Sequence, residues 1–145
     1  MISHAQITLD PLAVVEVCPG VSLDVSFQAT GAFLAGNNFI VELSDASGSF
    51  AAPSAIGTQF GTGSALISCN APLGTDGPGY LVRVRSTMPV MQSAASNTAL
   101  VFPTPDTGYG TSVSICGIVP SVDFATLLGG TPDPGGIWTI VQGTG

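Results

Sequence analysis

Basic side chains are nearly absent from this chain. Lysine does not occur, and Arg83 and Arg85 stand against nine acidic residues, so the formal net charge is -7 over 145 residues. A surface of this sign repels the phosphate backbone of nucleic acids and anionic lipid headgroups. We therefore expect no nucleic-acid partner and no attraction to an anionic membrane surface.

Long apolar runs are also missing. Hydrophobic residues make up 45% of the chain, yet no run approaches the roughly 18 residues that a transmembrane helix needs. The N-terminal residues lack the basic region and apolar core of a signal peptide. A surface without lysine is nonetheless more typical of an exported protein than of a cytosolic one. We expect no membrane insertion and a secreted or cell-surface location, with this chain a piece of a longer polypeptide.

Residue types that carry catalysis or hold metals are sparse. His4 is the only histidine, and no D-x-D-x-D-G calcium loop occurs. Four acidic residues fall at turn sequences, where carboxylates bond to nearby backbone groups: Asp45, Asp76, Asp106 and Asp133. We therefore expect no enzymatic activity and no cofactor. A structural calcium ion near Asp106 or Asp133 is the alternative that this pattern leaves open.

The three cysteines form no C-x-x-C pair, which gives no support to a zinc or thioredoxin-type site. In an oxidising compartment Cys18 and Cys69 could form a disulfide. Closing a loop of that length would stabilise the fold by roughly 4 kcal/mol in the chain-entropy model. The alternative is two separate buried thiols. Cys116 would then pair with a cysteine outside this chain or be a buried thiol.

Apolar and polar residues alternate along most of the chain. The alternation over residues 21–29 predicts a strand with one buried face. Similar pieces predict further strands at 12–17, 39–44, 56–60, 64–69, 80–85 and 98–102. About seven strands in about 100 residues is typical of an immunoglobulin-like sandwich. We predict an all-β fold, an Ig-like antiparallel β-sandwich followed by a partial second β-rich module.

The sequence Asp76-Gly77-Pro78-Gly79-Tyr80, which runs directly into an alternating strand, is typical of a tyrosine corner. In such a corner the tyrosine hydroxyl bonds back to the backbone a few residues upstream. We predict this structural role for Asp76 and Tyr80. Val82 occupies the position where antibody domains place their second cysteine, so packing has to replace the usual bridge between the sheets.

Arg83 and Arg85 fall on the strand face opposite the predicted core. One hypothesis is a small site for anionic sugars or for a carboxylate of a partner. The alternative is charge balance within the chain, with Glu42 across the sheet. Four aromatic residues fall in or near predicted loops, where they would stack on sugars or cover the ends of the sandwich: Phe33, Phe50, Phe60 and Tyr109.

A change in composition marks a boundary after residue 103. Residues 1–103 form the predicted sandwich module, residues 104–111 form a Pro- and Thr-containing linker, and residues 112–145 begin a second β-rich module. Some forty residues with one tryptophan, Trp138, are too few for an independent core. We expect this incomplete module to dock on the first module or on another chain.

Several strings resemble a known family. The segments "VCPGVSLDVSFQATGAFLAGNNFIVELSDASGSF", "IGTQFGTGSALISC" and "GPGYLVRVRSTMP" resemble repeated extracellular modules of large surface proteins of Bacteroidota. Those proteins are typically exported by the type IX secretion system and include gliding-motility-type adhesins. The resemblance covers residues 12–103, and "VSICGIVPSVDFATLLGGTPDPGGIWT" resembles another module of the same proteins. Val122-Asp123-Phe124 departs from the usual acidic-Leu pairing of that module.

The resemblance implies a non-enzymatic structural or adhesive module of a large cell-surface or filament-forming protein. Its expected partners are neighbouring modules or identical subunits, together with surface polysaccharide as a candidate ligand. Two alternatives belong to other classes of function. One is a carbohydrate-binding module, and the other is an accessory domain of a secreted hydrolase.

Overall fold

The computed structural model of the chain describes residues 4–103, 108–110 and 128–131. Contacts between residues divide the chain into two compact units, unit 1 at Met1–Pro103 and unit 2 at Thr104–Gly145. Most of the predicted linker 104–111 and second module 112–145 lies outside the described residues, and so do Cys116 and Trp138. The predictions for those segments therefore stay predictions.

Over residues 4–103, unit 1 contains nine strands, which are β1 (Gln6–Leu9), β2 (Ser22–Thr30), β3 (Asn38–Leu43), β4 (Ser54–Phe60), β5 (Ala65–Asn70), β6 (Gly77–Tyr80), β7 (Val82–Thr87), β8 (Val90–Gln92) and β9 (Leu100–Phe102). Unit 2 contributes an antiparallel pair, β10 (Tyr109–Gly110) with β11 (Leu128–Gly129). No helix occurs in the described ranges, so the predicted all-β class is confirmed. Over the same ranges no helix has the length and apolar character needed to cross a membrane.

The strands of unit 1 form two larger antiparallel sheets. One has the strand order β1-β2-β5, and the other has the order β4-β3-β7-β8. A smaller pair joins β6 to β9, and an isolated parallel bridge joins Glu16 to Val101. Each larger sheet pairs strands that are distant in sequence, as in Phe27 opposite Ala65.

Alternate side chains of both sheets meet in one core. Phe27 of β2 and Phe39 of β3 lie with ring centroids 4.6 Å apart, and Phe33 packs edge-on against Phe39 at 5.1 Å. Because β2 and β3 belong to different sheets, this contact shows that the sheets face each other, which is consistent with the predicted sandwich. Full burial of each large apolar side chain stabilises the fold by roughly 1.5–3 kcal/mol.

The two sheets also approach closely along one side. A side chain at Gly57 of β4 would bring its Cβ to 2.7 Å from the Cys69 Sγ and 2.9 Å from the Ile67 Cγ2 of β5. Both distances are shorter than normal contact, so glycine allows the edge of one sheet to lie against the edge of the other.

The structure departs from the predicted strands near its first strand and after β7. The first strand was predicted at 12–17, but β1 lies at Gln6–Leu9, and only Glu16 of the predicted segment makes a β-bridge. Val14 and Val15 are exposed, so their apolar character does not mark a core strand. Strand β8 was not predicted, because three residues are too few to show a period of two.

The connections between strands gather at two ends of unit 1. At the loop end, segments 31–37, 61–64 and 88–89 join β2 to β3, β4 to β5 and β7 to β8. At the base, segments 10–21, 44–53 and 71–76 join β1 to β2, β3 to β4 and β5 to β6. Nine residues of β2 run between these ends, so the ends lie roughly 30 Å apart.

Candidate functional site

The outer face of the four-stranded sheet carries a charged cluster of Glu42, Arg83 and Arg85. Glu42 of β3 lies opposite Arg83 of β7 in the strand register. The Nε of Arg83 donates to Oε2 of Glu42 at 2.7 Å, and the Nε of Arg85 donates to Oε1 at 2.7 Å. The guanidinium of Arg83 also lies 4.3 Å from the ring centroid of Phe50, within cation–π distance.

The electrostatics of this cluster follow from its burial. The side chain of Glu42 is only 7% exposed, whereas those of Arg83 and Arg85 are 17% and 35% exposed. Burial acts to raise the pKa of Glu42, but the hydrogen bonds and charges of Arg85 and Arg83 outweigh it, so the pKa lies below its usual value. One carboxylate thus engages both cations. This geometry supports the hypothesis of charge balance within the chain rather than that of an open site for an anionic ligand.

Replacing Glu42 with glutamine is expected to lower the free energy of unfolding at pH 7 by about 1–2 kcal/mol, because two partly solvated guanidinium groups lose their counter-ion. A carboxyl whose folded pKa is depressed stabilises the fold above its unfolded pKa of about 4.3, and this stabilisation is lost as the pH falls through the folded pKa. The difference in unfolding free energy between the Glu42→Gln variant and the wild type, here called the gap, should therefore become smaller at acidic pH.

Urea denaturation at neutral and acidic pH measures this gap. The matched control is Glu16→Gln, because Glu16 is exposed and only its backbone makes a bridge. The control should follow the wild type at every pH. A gap for Glu42→Gln that is the same at both pH values would show that the charge of Glu42 does not stabilise unit 1.

The predicted corner residues come together at the base. The hydroxyl of Tyr80, at the end of β6, donates to the carbonyl oxygen of Asp76 at 3.2 Å. The ring of Tyr80 packs edge-on against Phe102, with centroids 5.0 Å apart. Gly79 has a φ of +99°, and a Cβ there would collide with the carbonyl oxygen of Ala46, so only glycine fits between the two segments.

Replacing Tyr80 with phenylalanine is expected to cost about 1 kcal/mol of unfolding free energy, since the hydroxyl loses its backbone acceptor while the ring contact stays. Urea denaturation of unit 1, followed by its amide NMR signals, measures this cost. Tyr109→Phe in unit 2 serves as the control, because Tyr109 is exposed. An unchanged midpoint for Tyr80→Phe would rule out a stabilising role for this hydroxyl.

Cys18 and Cys69 are both free thiols, so the hypothesised bridge is not formed. Cys69 is buried on β5 and its Sγ donates to the carbonyl of Ile67 at 3.4 Å, whereas Cys18 is exposed before β2. The exposure of Cys18 also corrects the alternative of two buried thiols. Burial, with a smaller effect from the charge of Asp24, raises the pKa of Cys69 to about 12. A thiol held protonated at neutral pH is a poor nucleophile.

Asp45 forms a turn at the base, as its sequence predicted. Its Oδ1 accepts from the Ser47 hydroxyl at 2.6 Å and from the backbone N–H groups of Ser47 and Ser49, both at 2.9 Å. These hydrogen bonds, that of the Ser47 hydroxyl first, lower the pKa of Asp45. The carboxylate is thus occupied in shaping the connection between β3 and β4.

The loop aromatic residues divide into two groups. Phe33 is buried against the core, and Phe50 lies under the guanidinium of Arg83. Phe60 and Tyr109 are exposed. The hypothesis of sugar stacking therefore depends on Phe60 and Tyr109, because the rings of the other two are covered.

A cavity of about 620 Å³ lies between residues 5–12 and residues 91–98. The N–H of Asp10 donates to Ser26 of β2 at 3.1 Å. Along an antiparallel strand, every second residue bonds its backbone groups to the partner strand. Because Asp10 is bonded to β2, Ile7 and Leu9 point their backbone N–H and C=O groups away from β2. Among the described residues of the lining, Asp10 is the only one with an ionisable side chain, and Gln28 donates to it at 3.1 Å. The cavity offers hydrogen bonds rather than an acid and a base.

Asn37 organises the loop end, and sequence reasoning missed it. The side chain is fully buried, its Nδ2 donates to the carbonyl of Gly61 at 2.8 Å, and its Oδ1 accepts from the N–H groups of Thr87 and Met88 at 3.0 and 2.8 Å. The N–H of Gly61 donates back to the carbonyl of Asn37 at 3.0 Å. One side chain thereby ties together three connections. Two asparagines after a glycine, as in residues 36–38, are typical of an exposed turn, so the sequence did not indicate a buried role for Asn37.

The loop end presents exposed apolar side chains on this framework. We call them the loop-end surface: Leu34, Phe60, Met88 and Val90. The N–H of Leu34 donates to the carbonyl of Met88 at 3.1 Å, so two of the loops are joined directly. No Asp, Glu, Lys or Arg occurs at 31–37, 60–64 or 87–91. The surface is therefore apolar, uncharged and held by backbone hydrogen bonds.

Candidate metal ligands do not cluster in the part of the chain that the structure describes, where no group of three His, Cys, Asp or Glu side chains could hold an ion. Asp106 and Asp133, near which calcium was hypothesised, lie outside the described residues. His4 lies exposed, just before β1. No protein-family model and no curated protein matches the chain.

Proposed function

We propose that unit 1 is an Ig-like, non-enzymatic structural or adhesive module of a large cell-surface or filament-forming protein. The observation that carries this proposal is the position of its first and last strands. Gln6 of β1 lies opposite Thr30 at the loop end, and Phe102 of β9 lies opposite Gly77 at the base. The polypeptide thus enters at one end and leaves at the other, which suits a module that is strung in series.

The strand order supports the Ig-like part of the proposal. If β1, β2 and β5 are strands A, B and E, then β4, β3, β7 and β8 follow as C′, C, F and G. The two sheets then divide the strands as Ig-like sandwiches do, with C′ on the sheet that holds C, F and G. Tyr80 lies just before the strand that corresponds to F, where a tyrosine corner belongs.

The surface chemistry supports an exported location. Among the described residues, both arginines are engaged by Glu42, so the remaining acidic side chains and many Ser, Thr and Gly residues dominate the exterior. Such a surface is more typical of an extracellular module than of a cytosolic protein. Neighbouring modules or identical subunits are the partners proposed for it, together with surface polysaccharide.

Antibody labelling of the source cells tests the proposal. Antibodies raised against the full chain should label intact, unpermeabilised cells or filaments released from them. Brief protease treatment of intact cells should remove that label, while a cytosolic marker protein stays uncut. Labelling that appears only after permeabilisation would overturn the surface location and, with it, the proposed function.

A further inference from the structure

The exposed apolar side chains of unit 1 are segregated towards its two ends. Four form the loop-end surface already described. Four others belong to segments at the base: Val14, Val15, Val21 and Leu73. Of the exposed large apolar residues within residues 4–103, only Leu66 belongs to neither end, because it lies opposite Ser26 in the middle of β2. Exposed apolar residues scattered singly need no explanation, but their collection at opposite ends does.

Leu73 and Val21 define the second surface, which we call the base surface. The Cδ2 of Leu73 lies over Gly20, where a Cβ would approach it to 2.9 Å, and the N–H of Gly20 donates to Ala71 at 2.9 Å. Together with the bond from the N–H of Ala71 to the carbonyl of Val21 at 3.0 Å, this hydrogen bond fixes the segment before β2 against the segment after β5. Leu73 is 84% exposed on this framework, so its side chain projects from an ordered base.

We infer that the loop-end surface binds the base surface of a second copy of this chain, in a head-to-tail contact. The two surfaces are different and lie at opposite ends of β2, so the contact is heterologous and extends into an open chain of copies. This inference rests on the proposed function and names the partner of that module.

The distribution of charge favours a head-to-tail contact between two copies of this chain. The chain carries a net charge of -7, so most approaches of two copies are repulsive. The loop-end segments 31–37, 61–64 and 88–89 contain no Asp, Glu, Lys or Arg, whereas the base segments 10–21, 44–53 and 71–76 contain Asp10, Glu16, Asp45 and Asp76. A contact between these two ends therefore avoids like-charge repulsion.

The loop end is held in one arrangement before binding, which also favours association. Asn37 holds the three loop-end connections through hydrogen bonds of 2.8–3.0 Å. Surfaces that are already ordered lose less conformational entropy on association than mobile loops do. Leu34, Met88 and Val90 thus meet a partner with little reorganisation of their backbone.

Sedimentation equilibrium of the full chain tests the inference. The wild type is expected to rise beyond about twice the monomer mass as its concentration approaches about 1 mM, where weak contacts are populated. Leu34→Asp and Leu73→Asp should each remain monomeric. Leu66→Asp is the matched control, since Leu66 is exposed and lies opposite Ser26 in the middle of β2, and it should behave as the wild type.

Mixing the two end variants separates head-to-tail association from other symmetries. The Leu34→Asp chain keeps its base surface, and the Leu73→Asp chain keeps its loop-end surface, so an equal mixture should form dimers and nothing larger. A loop-end-to-loop-end dimer would instead be abolished by Leu34→Asp and left intact by Leu73→Asp, which would overturn the inference.

Three further outcomes would also overturn it: a wild type that stays monomeric, a mixture that stays monomeric, or a Leu66→Asp variant that dissociates. Circular dichroism checks that each variant is folded, and Val90→Asp replaces Leu34→Asp if that variant unfolds. A monomeric chain that still labels intact cells would defeat this inference and leave the proposed surface module standing.

Discussion

Replacing Asn37 with alanine is expected to lower the free energy of unfolding of unit 1 by about 3–5 kcal/mol. The change removes the partner of three buried or partly buried backbone groups, the N–H groups of Thr87 and Met88 and the carbonyl of Gly61. Each such group left without a partner costs about 1–3 kcal/mol. A domain of this size has a stability of only about 5–15 kcal/mol, so the loss is a large fraction of it.

The matched control for this prediction is Asn38→Ala. Asn38 is the next residue in the chain and its side chain is exposed, while its backbone N–H, which the substitution keeps, donates to the Thr87 hydroxyl at 2.8 Å. The control should change the stability by less than about 0.5 kcal/mol. Urea denaturation followed by the amide NMR signals of unit 1 measures both variants without interference from unit 2.

Hydrogen exchange gives a second, local readout of the same prediction. In the wild type the amides of Thr87 and Met88 are bonded to Asn37 and should exchange slowly. In Asn37→Ala they should exchange much faster, while the amides in the centre of β3 follow global stability. Equal loss of protection at all sites would mean that Asn37 stabilises unit 1 without organising its loops.

Most of the strands of unit 1 could be predicted from the sequence, because their alternation is strong. β2 shows it most clearly, since Leu23, Val25 and Phe27 are buried and the residues between them face outward. The period of two depends only on backbone geometry, so it can be recognised without knowing which strands pair. Segment 12–17 was predicted wrongly as a full strand, since a short apolar run does not reveal how much of it pairs, and only Glu16 makes a β-bridge, to Val101 of β9.

The charged cluster could be predicted from the sequence, whereas the hydrogen bonds that organise the loop end could not. Arg83 and Arg85 are two residues apart on a strand, so they share a face, and Glu42 was the carboxylate proposed opposite them. The bonds of Asn37 join residues 24 to 51 positions apart in the chain. No local pattern encodes contacts of that range, because they depend on how the strands pair.

Replacing Phe39 with alanine is expected to destabilise unit 1 by about 3–5 kcal/mol, as large-to-small changes in a packed core do. Phe39 is fully buried on β3 and contacts Phe27 of the other sheet and Phe33 of the loop end. The change therefore removes a contact between the sheets where no disulfide joins Cys18 to Cys69. Phe39→Leu keeps most of the volume and should cost about half as much.

Phe60→Ala is the matched control for Phe39→Ala, because it deletes the same side chain from a residue that is 70% exposed. At a concentration where the chain is monomeric, it should change the stability by less than about 0.5 kcal/mol. Equal losses for both variants in urea denaturation would contradict a core centred on Phe39. If instead only Phe39→Ala is destabilised, the aromatic contact between β2 and β3 replaces the covalent bridge that antibody domains place between their sheets.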